Sequence, residues 1–279
     1  MSLRVGRIEY ANCVPLFKAF DALCDKDHRF VDGVPAILNA MLSLGEIDLS
    51  PSSSIAYGKD PNRYWLLPGL SISATGPVRS VLLFTRQPLE ELDGATIGLT
   101  NESDTSVALL KIILGKFLAF KNSFQRTDAL PQQADSAFGA LLLIGNQAMR
   151  MSMTVSDYHV YDLGELWHRF TGLPFVYALW VVNRQSVAGQ EDSVIDLART
   201  LQQAKVACRD RLPLYVKGSG LEWYGFDNLI SYWQTISYDL GELEMEGLRT
   251  FYRYSYELGI IEQLPEIVFF PGAISGGSF

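Results

Sequence analysis

The alternation of two hydrophobic periods over the first 54 residues limits this chain more than any other feature. Residues 3–8 alternate as a strand, and a loop at 9–14 leads to a helix that Pro15 can open. Residues 28–31 read as a second strand, 35–44 as a helix stopped by Gly45, and 47–50 as a third strand running into Ser52, Ser53 and Ser54. Strand, helix, strand, helix, strand in so short a span is the pattern of a parallel sheet, whose neighbouring strands need a crossover that a helix supplies. After a strand-rich stretch at 64–86 the alternation resumes. A strand at 96–99 precedes a long helix at 104–120, with Val107, Leu110, Ile113, Leu114, Phe117 and Leu118 at helical spacing, then a strand at 141–144 and a Gly145-Asn146 turn. Residues 159–163 and 175–183 read as strands around a helix at 164–171, and 194–258 is helical in pattern, in two or three helices broken near Pro213 and at Gly241.

Two such runs, with passages between them near 82–86 and 178–184, predict an α/β clamshell. Lobe I would hold residues 1–86 and 182–279 with the C-terminal helices, and lobe II residues 87–181. A length of 279 residues suits two lobes. Ligands of open α/β sheets sit beyond the carboxyl ends of strands, so a substrate cleft between the lobes should collect these loops. The tail 272–279 (GAISGGSF) reads as a flexible end.

Charge and composition narrow the function. Lys and Arg number 23 against 31 Asp and Glu, a net charge of −8 with no basic run, which repels a phosphate backbone and makes nucleic acid an unexpected partner. The longest apolar runs, FVYALWVV at 175–182 and ALLLI at 140–144, fall far short of the roughly 20 residues that span a bilayer. No membrane helix is expected. The opening MSLRVGRIEY goes straight into a strand without the apolar region of a secretory signal, so the cytoplasm is the expected location. Cys13, Cys24 and Cys208 are widely spaced and read as reduced thiols.

Familiar catalytic signatures are absent: no Gly-rich dinucleotide loop, no phosphate-binding P-loop, no His-Glu-x-x-His and no nucleophile elbow. His28, His159 and His168 lie on separate segments with no ligand spacing, so a metal is not expected. Glu9, Glu102, Asp104 and Glu165 stand near cleft loops but are unpaired in spacing and read as solvated. The chain does place neutral hydrogen-bonding groups where helices begin: Asn12, the Ser52–Ser54 cluster, and Ser103, Thr105 and Ser106. Helix starts offer free N–H groups and the positive end of the dipole, which suit carboxylates. Such residues also cap helices routinely, and one alone says nothing about a ligand. Ser80, flanked by Gly76, Pro77 and apolar residues, joins them as a candidate.

Seven segments together resemble the chorismate dehydratase family of the futalosine route to menaquinone. They are YANCVPL (10–16), GVPAILN (33–39), GEIDLSPSSS (45–54), LLPGLSISATGPVRSVLL (66–83), LTNESDTSVALL (99–110), ALLLIGNQA (140–148) and DLGELWHRFTGLPFVYALW (162–180). The resemblance runs in order through about two thirds of the chain. It implies the two-lobed fold of type 2 periplasmic binding proteins, used as a cytoplasmic enzyme that removes water from chorismate to give 3-[(1-carboxyvinyl)oxy]benzoate without a cofactor. It places Asn12 and Ser80 nearest the reacting ring and Ser53, Ser54, Ser103, Thr105, Ser106 and Gly145 along the cleft. Asn146 stands where many relatives carry Asp. The expected partner is a small dianion, bound by a monomer or homodimer. Two alternatives stay open: the sister family 1,4-dihydroxy-6-naphthoate synthase, which would use a cleft histidine, and a non-catalytic binding protein for an organic anion.

Overall fold

The computed structural model describes residues 2–131 and 137–272; the expected flexible end, apart from Gly272, lies outside the described residues. In chain order, β1 (Arg4–Ile8), α1 (Val14–Leu23), β2 (Arg29–Gly33), α2 (Pro35–Leu44), β3 (Leu49–Ser53), α3 (Ser54–Lys59) and β4 (Tyr64–Ala74) come first. Then follow β5 (Val81–Thr85), β6 (Thr96–Leu99), α4 (Asp104–Ile112), β7 (Ser123–Arg126), β8 (Ala140–Ile144), α5 (Gly145–Ser152), β9 (His159–Asp162) and α6 (Leu163–Thr171). The chain continues through β10 (Phe175–Asn183) into α7 (Glu191–Arg209), α8 (Leu212–Val216), α9 (Phe226–Thr235) and α10 (Glu242–Glu257).

Two five-stranded sheets result, ordered β2-β1-β3-β10-β4 and β7-β6-β8-β5-β9. They form the two lobes of an α/β clamshell. In the first, β1 runs parallel to β2 and β3, as the alternation requires, while β10 enters antiparallel between β3 and β4. In the second, β6 is parallel to β7 and β8, and β5 is antiparallel to β8 and β9. Every residue of β5, β8 and β10 is buried, which explains their unbroken apolar runs: with both faces covered there is no polar face to alternate with.

Local chemistry fixes the helix ends. Pro35 opens α2, and Gly45 closes it in the left-handed region at φ 72°, where its N–H caps the carbonyls of Leu42 and Met41. Ser103 Oγ accepts from Ser106 N at 3.2 Å at the start of α4.

Several details differ from the sequence reading. The strand-rich stretch at 64–86 is two strands in two different sheets, so the chain leaves the first sheet between β4 and β5 and returns between β9 and β10. An apolar run reports burial, and it carries no mark of the sheet it joins. The helix expected at 104–120 is α-helical to Ile112 and then π-helical over Ile113–Phe117, before Ala119 turns to φ 58°. Gly145 opens α5 rather than a turn, and β7, four residues long and largely exposed, carries too little apolar pattern to register. Beyond β10 the described residues form four α-helices. Among the described residues, no helix is long and apolar enough to cross a membrane.

Candidate active site

A narrow cleft lies between the two sheets; about 530 Å³ of space separates its atoms, part of it open to solvent. Cross-strand pairing builds its walls. Ser53 pairs with Ala178 across β3 and β10, Val81 pairs with Ile144 across β5 and β8, and all four residues line the space. Ile8 and Ser53 end β1 and β3, and Ile144 ends β8, so the ligand space sits beyond carboxyl ends as an open α/β sheet favours.

Six of the eight residues nominated from the sequence line this cleft: Asn12, Ser53, Ser80, Ser103, Ser106 and Gly145. Asn12 sits in the turn between β1 and α1, its backbone oxygen accepting from Tyr238 OH at 2.7 Å and its buried Oδ1 without a partner among the described residues. Ser53 Oγ accepts from Asn39 Nδ2 at 3.1 Å. Ser80 Oγ accepts from Tyr232 OH at 3.1 Å and lies 3.4 Å from Val78 O. Ser103 and Ser106 hydroxyls meet at 3.0 Å across the first turn of α4. Gly145 N donates to Ser80 O at 2.7 Å. A Cβ on Gly145 would lie 3.1 Å from the Tyr10 ring in a backbone already at φ 58°, so glycine fits on both counts.

Ser54 and Thr105 lie elsewhere. Ser54 Oγ donates to Val176 O at 2.8 Å, and Thr105 Oγ1 accepts from Ile55 N at 3.0 Å, with the two hydroxyls 3.4 Å apart. This pair joins the lobes behind the cleft rather than facing it. The sequence could not separate Ser53 from Ser54, because consecutive side chains at a strand end point to opposite faces.

Two tyrosines line the cleft without having been singled out. Tyr10 OH donates to Glu102 Oε2 at 2.6 Å, a bond between the lobes; burial first and then Glu102 hold its phenol well above its ordinary pKa. Tyr177 is buried, its hydroxyl has no partner among the described residues, and burial raises its pKa strongly. Both stay protonated; the Tyr177 hydroxyl can donate to a ligand, while the Tyr10 hydrogen is held by Glu102. A tyrosine inside FVYALWVV passes for an apolar filler in a hydrophobicity pattern; its polar tip was the available signal.

Ser80 sits on a strained turn. Arg79 adopts φ 60°, uncommon for a residue with a side chain, and Asp162 holds it there. Asp162 accepts from Arg79 N at 2.5 Å and Val78 N at 3.1 Å while capping α6 through Gly164 N at 2.8 Å and Glu165 N at 3.2 Å. Burial raises its pKa against the pull of these four N–H groups.

The acids and histidines near cleft loops stay out of the cavity. Glu9, Asp104 and Glu165 are exposed, and Asp104 pairs with Lys59 at 2.8 Å and with Arg126. His28 Nδ1 accepts from Leu3 N at 3.3 Å, His159 stacks on Tyr161, and His168 Nδ1 lies 3.3 Å from Leu173 O. Among the described residues, no cluster of three or more His, Cys, Asp or Glu is placed to hold a metal, and no charged side chain lines the cleft. Its polar lining is hydroxyl, amide and backbone, an arrangement that stabilises negative charge through aimed donors.

Comparison with known proteins accords with this geometry. The chain superimposes on a crystal structure of an Archaeoglobus fulgidus protein with a TM-score of 0.73 at 19% identity, covering 93% of this chain and 98% of that one. It superimposes on the periplasmic aliphatic sulphonate binding protein of Escherichia coli with a TM-score of 0.65 at 15% identity, covering 95% of each. These likenesses establish the periplasmic-binding-protein type of fold. In sequence it is 35% identical over 197 residues to the chorismate dehydratase of Thermus thermophilus, spanning 65% of this chain and 70% of that enzyme. The model of a family described as menaquinone biosynthesis matches residues 3–257, and the chain therefore belongs to the menaquinone biosynthesis family.

Proposed function

We propose that the chain is a chorismate dehydratase, a hydro-lyase that turns chorismate into 3-[(1-carboxyvinyl)oxy]benzoate. The carrying observation is a cleft whose polar lining is entirely uncharged. Chorismate already contains the activation the reaction needs. Its ring carboxylate is conjugated through a double bond to the carbon bearing the enolpyruvyl ether, so removing that carbon's proton spreads charge toward the carboxylate. Hydroxide then leaves the neighbouring carbon, the ring becomes aromatic, and the proton and hydroxide together make one water. The protein's part is to hold two carboxylates and steady the growing charge, which N–H and O–H donors do best where water is excluded.

In this reading Asn12 and Ser80 position the ring and the departing hydroxyl, Ser53, Ser103 and Ser106 donate to carboxylate oxygens, and Gly145, which has no side chain, leaves room for the ligand. Ser54 and Thr105 hold the lobes in register. The substrate's own enolpyruvyl carboxylate takes the proton, since no lining residue is a base of suitable strength. The sister synthase reading would need a histidine in the cleft, where none of the three lies. We also propose that the lobes divide at the two passages between the sheets, and that the enzyme works in the cytoplasm as a monomer or homodimer.

Incubating the purified chain with chorismate tests the assignment. Loss of the diene absorbance with a mass-spectrometric product one water lighter is expected. Saturable chorismate binding without turnover would overturn it in favour of an organic-anion binding protein.

A further inference from the structure

The segment from Ser231 to Tyr238 lies behind the cleft and touches the backbone or side chain of each proposed catalytic residue. Ser231 Oγ accepts from Arg79 Nη1 at 2.7 Å, next to Ser80. Tyr232 OH reaches Ser80 Oγ at 3.1 Å, Trp233 Nε1 donates to Ala11 O at 2.8 Å, and Tyr238 OH donates to Asn12 O at 2.7 Å. Tyr232 and Trp233 belong to a small apolar cluster with Ala11, Met149 and Leu229, which ties α9 to the β1–α1 turn and to α5. The sequence reading treated this whole region as added helices without a functional part.

The Tyr232 bond has a direction. A phenol is a far stronger acid than an aliphatic hydroxyl, so in a Tyr–Ser pair the phenol donates and the serine oxygen accepts. Ser80 then has a single hydrogen of its own to place. Its protein acceptor is Val78 O at 3.4 Å, well beyond the roughly 2.7–2.8 Å of a good O–H···O bond, so that hydrogen is weakly held. An oxyanion in the cleft can take it at little cost. Both residues are almost fully buried, at 1% exposure for Tyr232 and 4% for Ser80, so no bulk water competes for the serine oxygen.

We infer that Tyr232 is a positioning residue for the reaction: by donating to Ser80 Oγ it fixes that hydroxyl as a donor toward the substrate and polarises it. Burial raises the Tyr232 phenol far above its ordinary pKa, so the donor keeps its proton through the working range. Successive hydrogen bonds strengthen one another, and the chain Tyr232 to Ser80 to substrate is strongest when negative charge grows at its far end. Its effect therefore falls on the chemical step. This inference rests on the dehydratase reading.

A double-mutant cycle tests it. Tyr232→Phe keeps the ring that fills the cluster and removes only the hydroxyl. It is expected to lower kcat on chorismate roughly tenfold with KM changed less than about twofold, and to cost nothing further in a Ser80→Ala background. A merely structural tyrosine would lower activity equally in both backgrounds, and additive losses, or an unchanged kcat in Tyr232→Phe, would overturn the inference. Should Tyr232→Phe fail to fold, 3-fluorotyrosine at 232, nearly isosteric and more acidic, is expected to change kcat in the Ser80 protein and leave Ser80→Ala unmoved; equal effects in both would overturn the inference. Wild-type turnover with an additive cycle sinks this inference alone. A wild-type chain that does not consume chorismate sinks the dehydratase reading and this inference with it.

Discussion

Asn12 carries the sharpest claim at the scale of one residue. Its buried Oδ1 has no partner among the described residues, and a buried polar atom left unsatisfied costs roughly 1–3 kcal/mol. Its backbone is bonded at the same time to Tyr238, so the side chain cannot relax by moving the turn. An amide oxygen placed there suits the hydroxyl of a bound ligand. Asn12→Ala, which removes an acceptor for the substrate's ring hydroxyl, is expected to lower kcat on chorismate by about tenfold, with KM little changed and the melting temperature not reduced. An unchanged kcat would remove Asn12 from the mechanism. Residue type and place made Asn12, Ser53, Ser103 and Ser106 legible as cleft candidates, since each stands at a strand end or helix start; Ser80 came from its Gly-Pro flank, and Gly145 only from the family resemblance. Ser54 and Thr105 carried the same signal, and only side-chain direction, which depends on where a strand hands over to a helix, turned them inward to each other. Tyr232 and Tyr238 left no local trace because their partners are more than a hundred residues away.

At the scale of elements, helices with a proline at one end and a glycine at the other were readable to the residue, as with α2, because both punctuation marks act locally. Strand β7 was not, and neither was the π-helical end of the long helix, whose apolar spacing continues unchanged through the altered winding. The pairing of β1 with β2 also carries a pH dependence. His28 Nδ1 accepts the Leu3 N–H, which only a neutral imidazole can do, and burial lowers its pKa from the usual 6.5. A histidine whose pKa is depressed by folding adds stability at neutral pH and gives it up as the pH falls, because the unfolded chain binds the proton first. Wild-type protein is expected to lose stability relative to His28→Asn as the pH drops below about 6.5, measured by urea unfolding at several pH values. Parallel profiles for the two proteins would contradict the assignment.

Across the whole molecule, the two α/β runs and the long helical end were visible in the order of periods, and the clamshell followed from them. The passages were displaced by several residues because β5 and β10 are uniformly apolar and look alike whichever sheet they serve. The lobes meet through Tyr10–Glu102, Ala11–Asn146 and the Ser54–Thr105 pair, all bonds between distant parts of the chain. The late arrival of β10 between β3 and β4 has a consequence for synthesis. As the polypeptide leaves the ribosome, β3 and β4 emerge with the edges that β10 will fill still bare. At ~5–20 residues per second that interval lasts on the order of 10 s. The β5–β9 sheet is encoded in one continuous stretch and closes in the meantime. Nascent chains arrested just after β10 has cleared the exit tunnel are expected to gain protease resistance in the first sheet, whereas chains arrested after β9 protect only the second. Simultaneous protection of both would contradict that order. The part of the protein made earliest is thus the last to mature, and during translation it is the part most in need of a chaperone.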